Sequence, residues 1–199
     1  TNDDLQEEIL ERQKVESLQQ ALFEISELAA NLEGDMNVFY SSLHEILARL
    51  ISAPNCYIAI VDKAQNKLEF PYFSDIKQAT IDPRPLSLGL TEFVLRTGQA
   101  ELINPPRVLQ LAESGELDVT VAQKMLKSAN SWLGSPLVVD GDIAGVIAVQ
   151  TYGKHAKYTA RDQELLRFVS HHIAVAMERK SNTEAIQQYN TQLEERVKE

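Results

Sequence analysis

The sequence predicts an α/β domain of the α+β kind, in which a central antiparallel sheet is held between two long helices. Short apolar segments of strand length alternate with helical ones in the middle of the chain. An Asp-Gly pair joins the two most apolar segments, and such turns connect antiparallel strands. Both ends have helical spacing, with no glycine or proline in 1–33 or 159–199. We therefore expect one domain with helical connectors.

Composition excludes several classes of function. The 199 residues, 44% of them hydrophobic, suffice for one domain with a proper core. The net charge of −10 disfavours nucleic acid and anionic membranes as partners. No apolar run approaches the length of a membrane-spanning helix, and the first residues lack a signal-peptide pattern. We expect a cytoplasmic location and no membrane contact from this fragment.

The first helix has the spacing of a coiled coil. Its apolar residues follow a 4-3-4-3 rhythm: Leu18, Leu22, Ile25, Ala29 and Leu32. Residues 1–33 also contain nine acidic and two basic side chains, which makes −7 of the net charge. We expect residues 1–35 to form a connector helix that pairs in a homodimer, and we expect this pairing to depend on salt.

The middle of the chain alternates helices and strands. In order, we expect a helix at 36–52, strands at 56–61 and 68–73, a short helix at 91–97, a strand at 101–104, helical structure at 107–128 interrupted by Gly115, and strands at 135–139 and 142–150. Gly141 supplies the positive φ of the last turn. Because both of its strands are apolar on both faces, this hairpin is predicted at the centre of a covered sheet.

The last helix is predicted to extend beyond the end of the domain. It begins after Thr159, a good N-cap, and about forty residues at 1.5 Å each span roughly 60 Å. Its apolar face thins beyond Met177 and then resumes, so the second half needs another partner. The residues predicted to pair in a homodimer are Ile173, Ile186, Tyr189 and Leu193.

Four stretches resemble GAF domains. They are 84–99, 131–137, 145–150 and the Tyr158-Thr159 pair with Asp162, Leu165 and Leu166. The resemblance covers residues 36–180 and is strongest to GAF domains set between PAS, GGDEF, EAL or histidine-kinase modules. It implies terminal helices on one face of the sheet and a pocket enclosed by loops and short helices on the other. The pocket candidates it indicates are Tyr72, Phe73, Leu88, Phe93, Leu111, Val121 and Trp132, although aromatic residues at such positions also serve as plain core.

The chemistry of known GAF subtypes is mostly missing. The chain lacks the Asn-Lys-Phe-Asp-Glu pattern typical of cyclic-nucleotide binders, and its one cysteine, Cys56, lies on a predicted strand rather than where bilins attach. One cysteine also cannot complete a methionine sulfoxide reductase cycle. Adjacent His171 and His172 cannot chelate one ion together, and a haem ligand among the four histidines, which include His44 and His155, stays an open alternative. We expect no catalytic residues and no metal, and the cofactor, if any, stays unknown.

The resemblance implies a regulatory role rather than catalysis. We expect a sensory and dimerising module that passes a small-molecule or conformational signal to an output domain in cis, through the signalling helix at 181–199. A GGDEF diguanylate cyclase, with or without an EAL domain, is the first expectation for that output. The input domain of a histidine kinase and a ligand-free dimerising spacer are the alternatives.

Overall fold

A computed structural model describes residues 1–128, 130–153 and 157–198. The helices are α1 (Asn2–Ala30), α2 (Met36–Leu50), α3 (Leu90–Thr97), α4 (Pro105–Glu113), α5 (Val119–Ser128) and α6 (Ala160–Lys198). The strands are β1 (Asn55–Asp62), β2 (Lys67–Ser74), β3 (Arg84–Pro85), β4 (Glu101–Ile103), β5 (Ser131–Val139) and β6 (Asp142–Thr151).

The predicted antiparallel sheet is confirmed. Its six strands lie in the order β3-β2-β1-β6-β5-β4, and every neighbouring pair is antiparallel. The hairpin β5–β6 turns through Asp140 and Gly141, which both have positive φ, at 52° and 81°. Two consecutive positive φ angles are typical of the tight hairpin turn that matches strand twist. The central pair β1–β6 therefore joins two hairpins into one sheet.

The two faces of the sheet bury different helices. On one face α1, α2 and α6 pack over side chains such as Leu133, Leu137 and Ile147. On the other face α3, α4 and α5 pack over Trp132, Val146 and their neighbours. Successive residues of a strand point to opposite faces, so β5 contributes to both cores. This division separates the helical connectors from the face that holds the cavity described below.

Coiled-coil spacing predicts that α1 pairs with another helix, but the last part of α1 packs into the core of its own domain. Ala21, Ile25 and Ala29 of α1 are buried against the rest of the chain. Residues 1–17 are exposed along their whole length. The last third of α1 therefore closes the core, and only the earlier part is free to act as a connector.

The interruption expected at Gly115 is present: α4 and α5 are separate helices on either side of it, and the φ of Gly115 is 78°. Three other local features differ from the expectations. Pro105 begins α4, where a missing N–H costs no hydrogen bond, instead of only ending the strand before it. The two-residue strand β3 is an addition, and β5 begins at Ser131, four residues earlier than expected.

The last helix leaves the domain after about its first half. Ile173 and Ala176 of α6 are fully buried, whereas every side chain from 181 to 197 is exposed. Among the described residues, no helix combines the length and apolar character needed to cross a membrane.

Candidate functional site

A cavity of about 670 Å³ lies between the sheet and the short helices, on the face opposite α1, α2 and α6. Its walls come from β1, β2, β5, β6, the first turn of α3, the side of α5 and the β2–β3 loop. Five aromatic side chains line it: Tyr57, Phe70, Phe73, Trp132 and Tyr152. A volume of several hundred Å³ with aromatic walls is typical of small-molecule sites.

The strand register brings these rings together. Tyr57 of β1 pairs with Phe73 of β2, and Trp132 of β5 pairs with Gln150 of β6, so all four point to the cavity face. The indole of Trp132 lies over Gly134, where an added Cβ would fall 2.2 Å from the ring. A glycine two residues along the strand thus makes room for the largest side chain of the site.

The buried polar groups near the rings satisfy one another. The indole Nε1 of Trp132 donates to the Tyr57 hydroxyl at 3.2 Å. That hydroxyl lies 2.8 Å from Oγ1 of Thr91, at the start of α3. Burial raises the pKa of Tyr57 and keeps its phenol neutral. The three residues fix the inner wall and leave no charge there.

A partly buried ion pair forms another wall. The Arg84 guanidinium donates to both carboxylate oxygens of Glu92, at 2.8 and 2.9 Å. The Ser87 backbone N–H and hydroxyl donate to the same carboxylate, at 2.8 and 2.7 Å. Burial raises the pKa of Glu92, but these hydrogen bonds and the charge of Arg84 outweigh it, so the pKa is lowered overall. Glu92 also lies in the first turn of α3, where the helix dipole favours a carboxylate.

We expect acid to weaken the fold through Glu92. Because its pKa is lower in the folded chain than its ordinary value of 4.5, ionised Glu92 stabilises the fold above that pH. This contribution is lost as the pH falls below 4.5 and through the folded pKa. The midpoint of urea unfolding, followed by Trp132 fluorescence between pH 7 and pH 3, should fall less steeply with acid in Glu92→Gln. An unchanged slope in that variant would contradict the assignment to Glu92.

The β2–β3 loop lines the cavity and is tied to Tyr152, just after β6. Asp75 accepts from the Tyr152 hydroxyl at 2.6 Å and from the backbone N–H groups of Lys77 and Gln78 at 2.7 and 3.1 Å. The Lys77 ammonium lies 3.9 Å above the Tyr152 ring. Burial and the bond to Asp75 raise the pKa of Tyr152, so the phenol remains a donor. The loop is therefore latched to the end of β6.

Asn130 is one of the residues that line the cavity, but its Oδ1 is buried away from solvent and has no hydrogen-bond partner among the described residues. The whole residue is 7% exposed. Ser131 Oγ is also unpaired, but Ser131 does not line the cavity. The backbone N–H of Asn130 donates to the Met125 carbonyl at 3.2 Å, which fixes its position between α5 and β5. Leaving a buried acceptor unpaired costs about 1–3 kcal/mol.

The seven pocket candidates are divided among four places. Phe73, Val121 and Trp132 line the cavity. Phe93 and Leu111 are buried in the core beneath it, and Leu88 is 46% exposed outside it. Tyr72 lies on the opposite face, where its hydroxyl is 2.7 Å from Nδ1 of His44 on α2.

Several lining residues were not among the sequence candidates. They include Tyr57, Phe70, Arg84, Asn130 and Tyr152. Arg84 lies inside the GAF-like stretch 84–99, so the resemblance contained a signal for it. Tyr57 and Tyr152 lie in or beside apolar strands, where their pattern does not distinguish a cavity from a core.

The dimer candidates fall into buried and exposed groups. Ile25 and Ile173 are fully buried within this chain, and Leu18, Leu22 and Leu32 are half-buried. On α6, Ile186, Tyr189 and Leu193 are 62%, 63% and 40% exposed. Only the last three are wholly outside the domain core.

A second concave surface lies between α1 and α2. It has a volume of about 640 Å³, and Phe23, Leu28 and Ile46 supply its apolar part. Phe23 is 60% exposed, and the rim carries the ion pair between Glu24 and Arg49. Because its largest ring is open to solvent, this groove is a weaker candidate for a small-molecule site than the aromatic cavity.

Histidine and cysteine supply no reactive centre among the described residues. No group of histidine, cysteine and carboxylate side chains there could hold a metal ion. Nε2 of His44 donates to the Ala53 carbonyl at 2.7 Å, which fixes the ring between α2 and β1. Cys56 is buried, and burial raises the pKa of its thiol to about 12. His155 lies outside the described residues.

Comparison with known proteins gives one family. The model of that family, described as the GAF domain, matches residues 33–178. None of the curated proteins compared with the chain matches it.

Solved structures show the same fold at low identity. The GAF domain of a phosphoenolpyruvate-protein phosphotransferase from Coxiella burnetii is 15% identical, with a TM-score of 0.64 over 86% of this chain and 96% of that one. A methyl-accepting chemotaxis protein is 20% identical, with a TM-score of 0.61 over 78% and 95%. The nlh2 GAF domain of A. aeolicus, in an inactive state, is 12% identical, with a TM-score of 0.60 over 84% and 99%.

Proposed function

Because this chain belongs to the GAF domain family, we propose that it is a sensory and dimerising module of a signal-transduction protein. It binds a small molecule in the aromatic cavity and transmits the binding through paired helices to an output domain in cis. The observation that carries the proposal is the position of the cavity, on the opposite face of one sheet from α1, α2 and α6. Of two neighbouring residues on a strand, one therefore faces the ligand space and the other faces the helices.

Strand β2 provides a direct route between the two faces. Phe73 lines the cavity, and Tyr72, beside it on the strand, contacts His44 of α2. A ligand that moves Phe73 shifts the strand, and the Tyr72–His44 hydrogen bond carries the shift to α2. Since α2 packs against α1, the shift changes how the connector helices are held. Packed elements of this kind change in discrete steps rather than continuously.

The exposed half of α6 is the best surface for pairing. Ile186, Tyr189, Leu193 and Val197 are separated by three, four and four residues and lie near one side of the helix. Charge favours this segment over α1, because residues 181–198 contain three acidic and two basic side chains. Residues 1–33 instead have nine and two, so like charges oppose their parallel pairing. The second copy therefore pairs mainly along α6.

The output domain is proposed from family context. Two of the similar solved structures are parts of named larger proteins, a phosphoenolpyruvate-protein phosphotransferase and a methyl-accepting chemotaxis protein, and this supports an output domain in cis. A GGDEF diguanylate cyclase fits a paired helical connector, because its catalysis needs two positioned catalytic domains. A histidine kinase uses the same paired geometry and is the second candidate.

Native mass spectrometry of the purified chain, followed by the same sample denatured, tests the ligand and the dimer together. We expect a dimer mass with an added small component that is lost on denaturation. An empty dimer would favour a ligand-free dimerising spacer. An empty monomer at micromolar concentration would contradict the proposed pairing.

A matched pair of variants locates the interface. Leu193→Glu places a charge in the proposed seam and should raise the dimer dissociation constant by about tenfold or more. Gln188→Glu adds the same charge on another side of the exposed segment and should change it little. Sedimentation equilibrium measures both constants. If the two substitutions change the dissociation constant equally, the dimer interface does not include Leu193.

A further inference from the structure

We infer that Glu178 and Arg179 form a clamp that sets the direction in which the exposed half of α6 leaves the domain. The inference rests on the proposed signalling function and names the contacts through which that function is regulated. Strand β5 connects this clamp to the aromatic cavity.

The two clamp residues are consecutive, yet they hold different parts of the domain. Glu178 Oε1 accepts from the backbone N–H of Asp140, in the β5–β6 turn, at 2.9 Å. The Arg179 guanidinium donates to the carbonyl oxygen of Ala29, in the last turn of α1, at 3.3 Å. Successive residues of an α-helix point about 100° apart, so one side chain reaches the sheet and the other reaches α1. Helix α6 is thereby held from two sides.

The clamp lies where the domain ceases to cover α6. Ala176 is fully buried just before it, and every side chain from 181 to 197 is exposed. Among the described residues, Glu178 and Arg179 are the last side chains of α6 that hydrogen-bond to another element. The carbonyl that Arg179 binds has no partner within its own helix, and the C-terminal end of a helix favours a positive charge.

Strand β5 links the cavity to the clamp. Trp132, near the start of the strand, lines the cavity, and the turn that contacts Glu178 follows the end of the strand. Between them, Ser135 Oγ and Ser170 Oγ form a buried hydrogen bond of 2.8 Å that joins β5 to α6. From Trp132 to Asp140 the strand spans about 26 Å, at roughly 3.3 Å per residue. Because β5 is paired with β6 along its length, the hairpin carries a movement of the cavity wall to the turn.

The length of the exposed half of α6 amplifies small changes at the clamp. Gln192 lies fourteen residues beyond Glu178, which is about 21 Å at 1.5 Å per residue. A change of about 10° in the direction of the helix therefore moves residue 192 by about 4 Å. Shifts of about 1–2 Å between helices are typical of switching transitions.

Pulsed electron paramagnetic resonance measures the direction of α6 in the full chain. Spin labels are attached to Ala64→Cys, between β1 and β2, and to Gln192→Cys, in the exposed half of α6. The native Cys56 is buried, so labelling is confined to the introduced residues. An excess of unlabelled chain ensures that the distance is measured within one copy. We expect Glu178→Ala to shift or broaden the distance distribution by about 4 Å.

Two further variants show whether the clamp causes this change. Arg179→Gln removes the contact with α1 and should broaden the distribution as well. Glu164→Ala is the matched control, because this carboxylate pairs with Arg167 of α6 itself, and it should leave the distances unchanged. Unchanged distances in both clamp variants would overturn the inference. An equal change in the control would also overturn it, because loss of any carboxylate on α6 would then have the same effect.

A cavity substitution tests the connection through β5. Trp132→Phe removes the indole N–H that bonds the Tyr57 hydroxyl and keeps an aromatic wall. We expect it to shift the label distance in the parent chain and to shift it about threefold less in Glu178→Ala. No shift in the parent, or equal shifts in both backgrounds, would overturn the role of the hairpin.

The outcome is independent of the proposed sensory function. The label distance is measured within one copy, so it requires neither a bound ligand nor a dimer. Failure of the clamp variants would leave a sensory and dimerising module standing. The native mass measurement decides separately on ligand and dimer.

Discussion

Glu92→Ala should destabilise the domain by about 2–3 kcal/mol. The substitution leaves the Arg84 guanidinium and the Ser87 N–H without their carboxylate. Breaking a fully buried pair costs about 3–5 kcal/mol, because an uncompensated charge remains. The Arg84 side chain is 35% exposed, so water recovers part of that cost. Urea denaturation monitored by far-UV circular dichroism gives the free energy of unfolding.

Two controls establish that burial causes the effect. Glu69→Ala removes the carboxylate of an ion pair with Lys67 in which both side chains are more exposed than Glu92, and it should cost less than about 1 kcal/mol. In an Arg84→Met background, Glu92→Ala should cost less than in the parent, because the stranded charge is already gone. A cost equal to that of Glu69→Ala would show that the pair contributes little.

Loss of this pair also has a consequence for binding. Arg84 and Ser87 belong to β3 and the segment after it, and both border the cavity. When Glu92 no longer holds them, this wall loses its link to the first turn of α3. We therefore expect weaker binding by the cavity in any Glu92 variant that still folds.

The sequence alone predicted those elements in which turn residues, helix caps and hydrophobic spacing all indicate the same structure. The Asp140–Gly141 turn lies between two apolar segments, and the structure has the hairpin there. The long last helix has a capping residue, no breaker and an apolar face, and α6 follows this pattern. In both regions the local propensity and the tertiary environment favour the same structure.

Strand β2 shows why the cavity residues were harder to predict. Simple alternation would place Phe70 and Tyr72 on one face and Phe73 on the other. The register shifts between Ile58 and Ile60, so β2 has one extra residue there. This bulge puts Phe70 and Phe73 on the cavity face and leaves Tyr72 on the helix face. Pro71 lies at the bulge, and a proline within a strand is typical of bulges and edges, so β2 held a signal that simple alternation does not use.

The apolar stripes of the terminal helices pose a similar limit. Helical spacing predicts that Ile25 and Ile173 are buried, but it does not show whether they pack against this chain or against another copy. Both residues pack inside the domain. Ile186 and Tyr189 follow comparable spacing and stay exposed, because α6 has passed the end of the domain. The difference depends on where the sheet ends, which is a property of the whole fold.

Gly145→Ala should destabilise the domain by about 3–5 kcal/mol, as much as a severe core substitution. Gly145 of β6 pairs with Ile60 of the central strand β1. A Cβ on Gly145 would lie 2.0 Å from the carbonyl oxygen of Ala59 and 2.9 Å from the Ile60 side chain. The nearest atom belongs to the backbone, so no rotamer change relieves the overlap. Strands β1 and β6 must separate locally, and their hydrogen bonds join the two halves of the sheet.

Gly141→Ala provides the matched control for this prediction. Gly141 has a positive φ of 81°, and an added Cβ there meets no atom within 4 Å. Its cost is the strain of a left-handed residue alone, about 1–2 kcal/mol. Urea unfolding of both variants, followed by circular dichroism and by Trp132 fluorescence, separates overlap from strain. If Gly145→Ala costs no more than Gly141→Ala, the two central strands are not as closely packed as the structure has them. A much larger cost shows that the sheet between the cavity and the helices depends on this close contact.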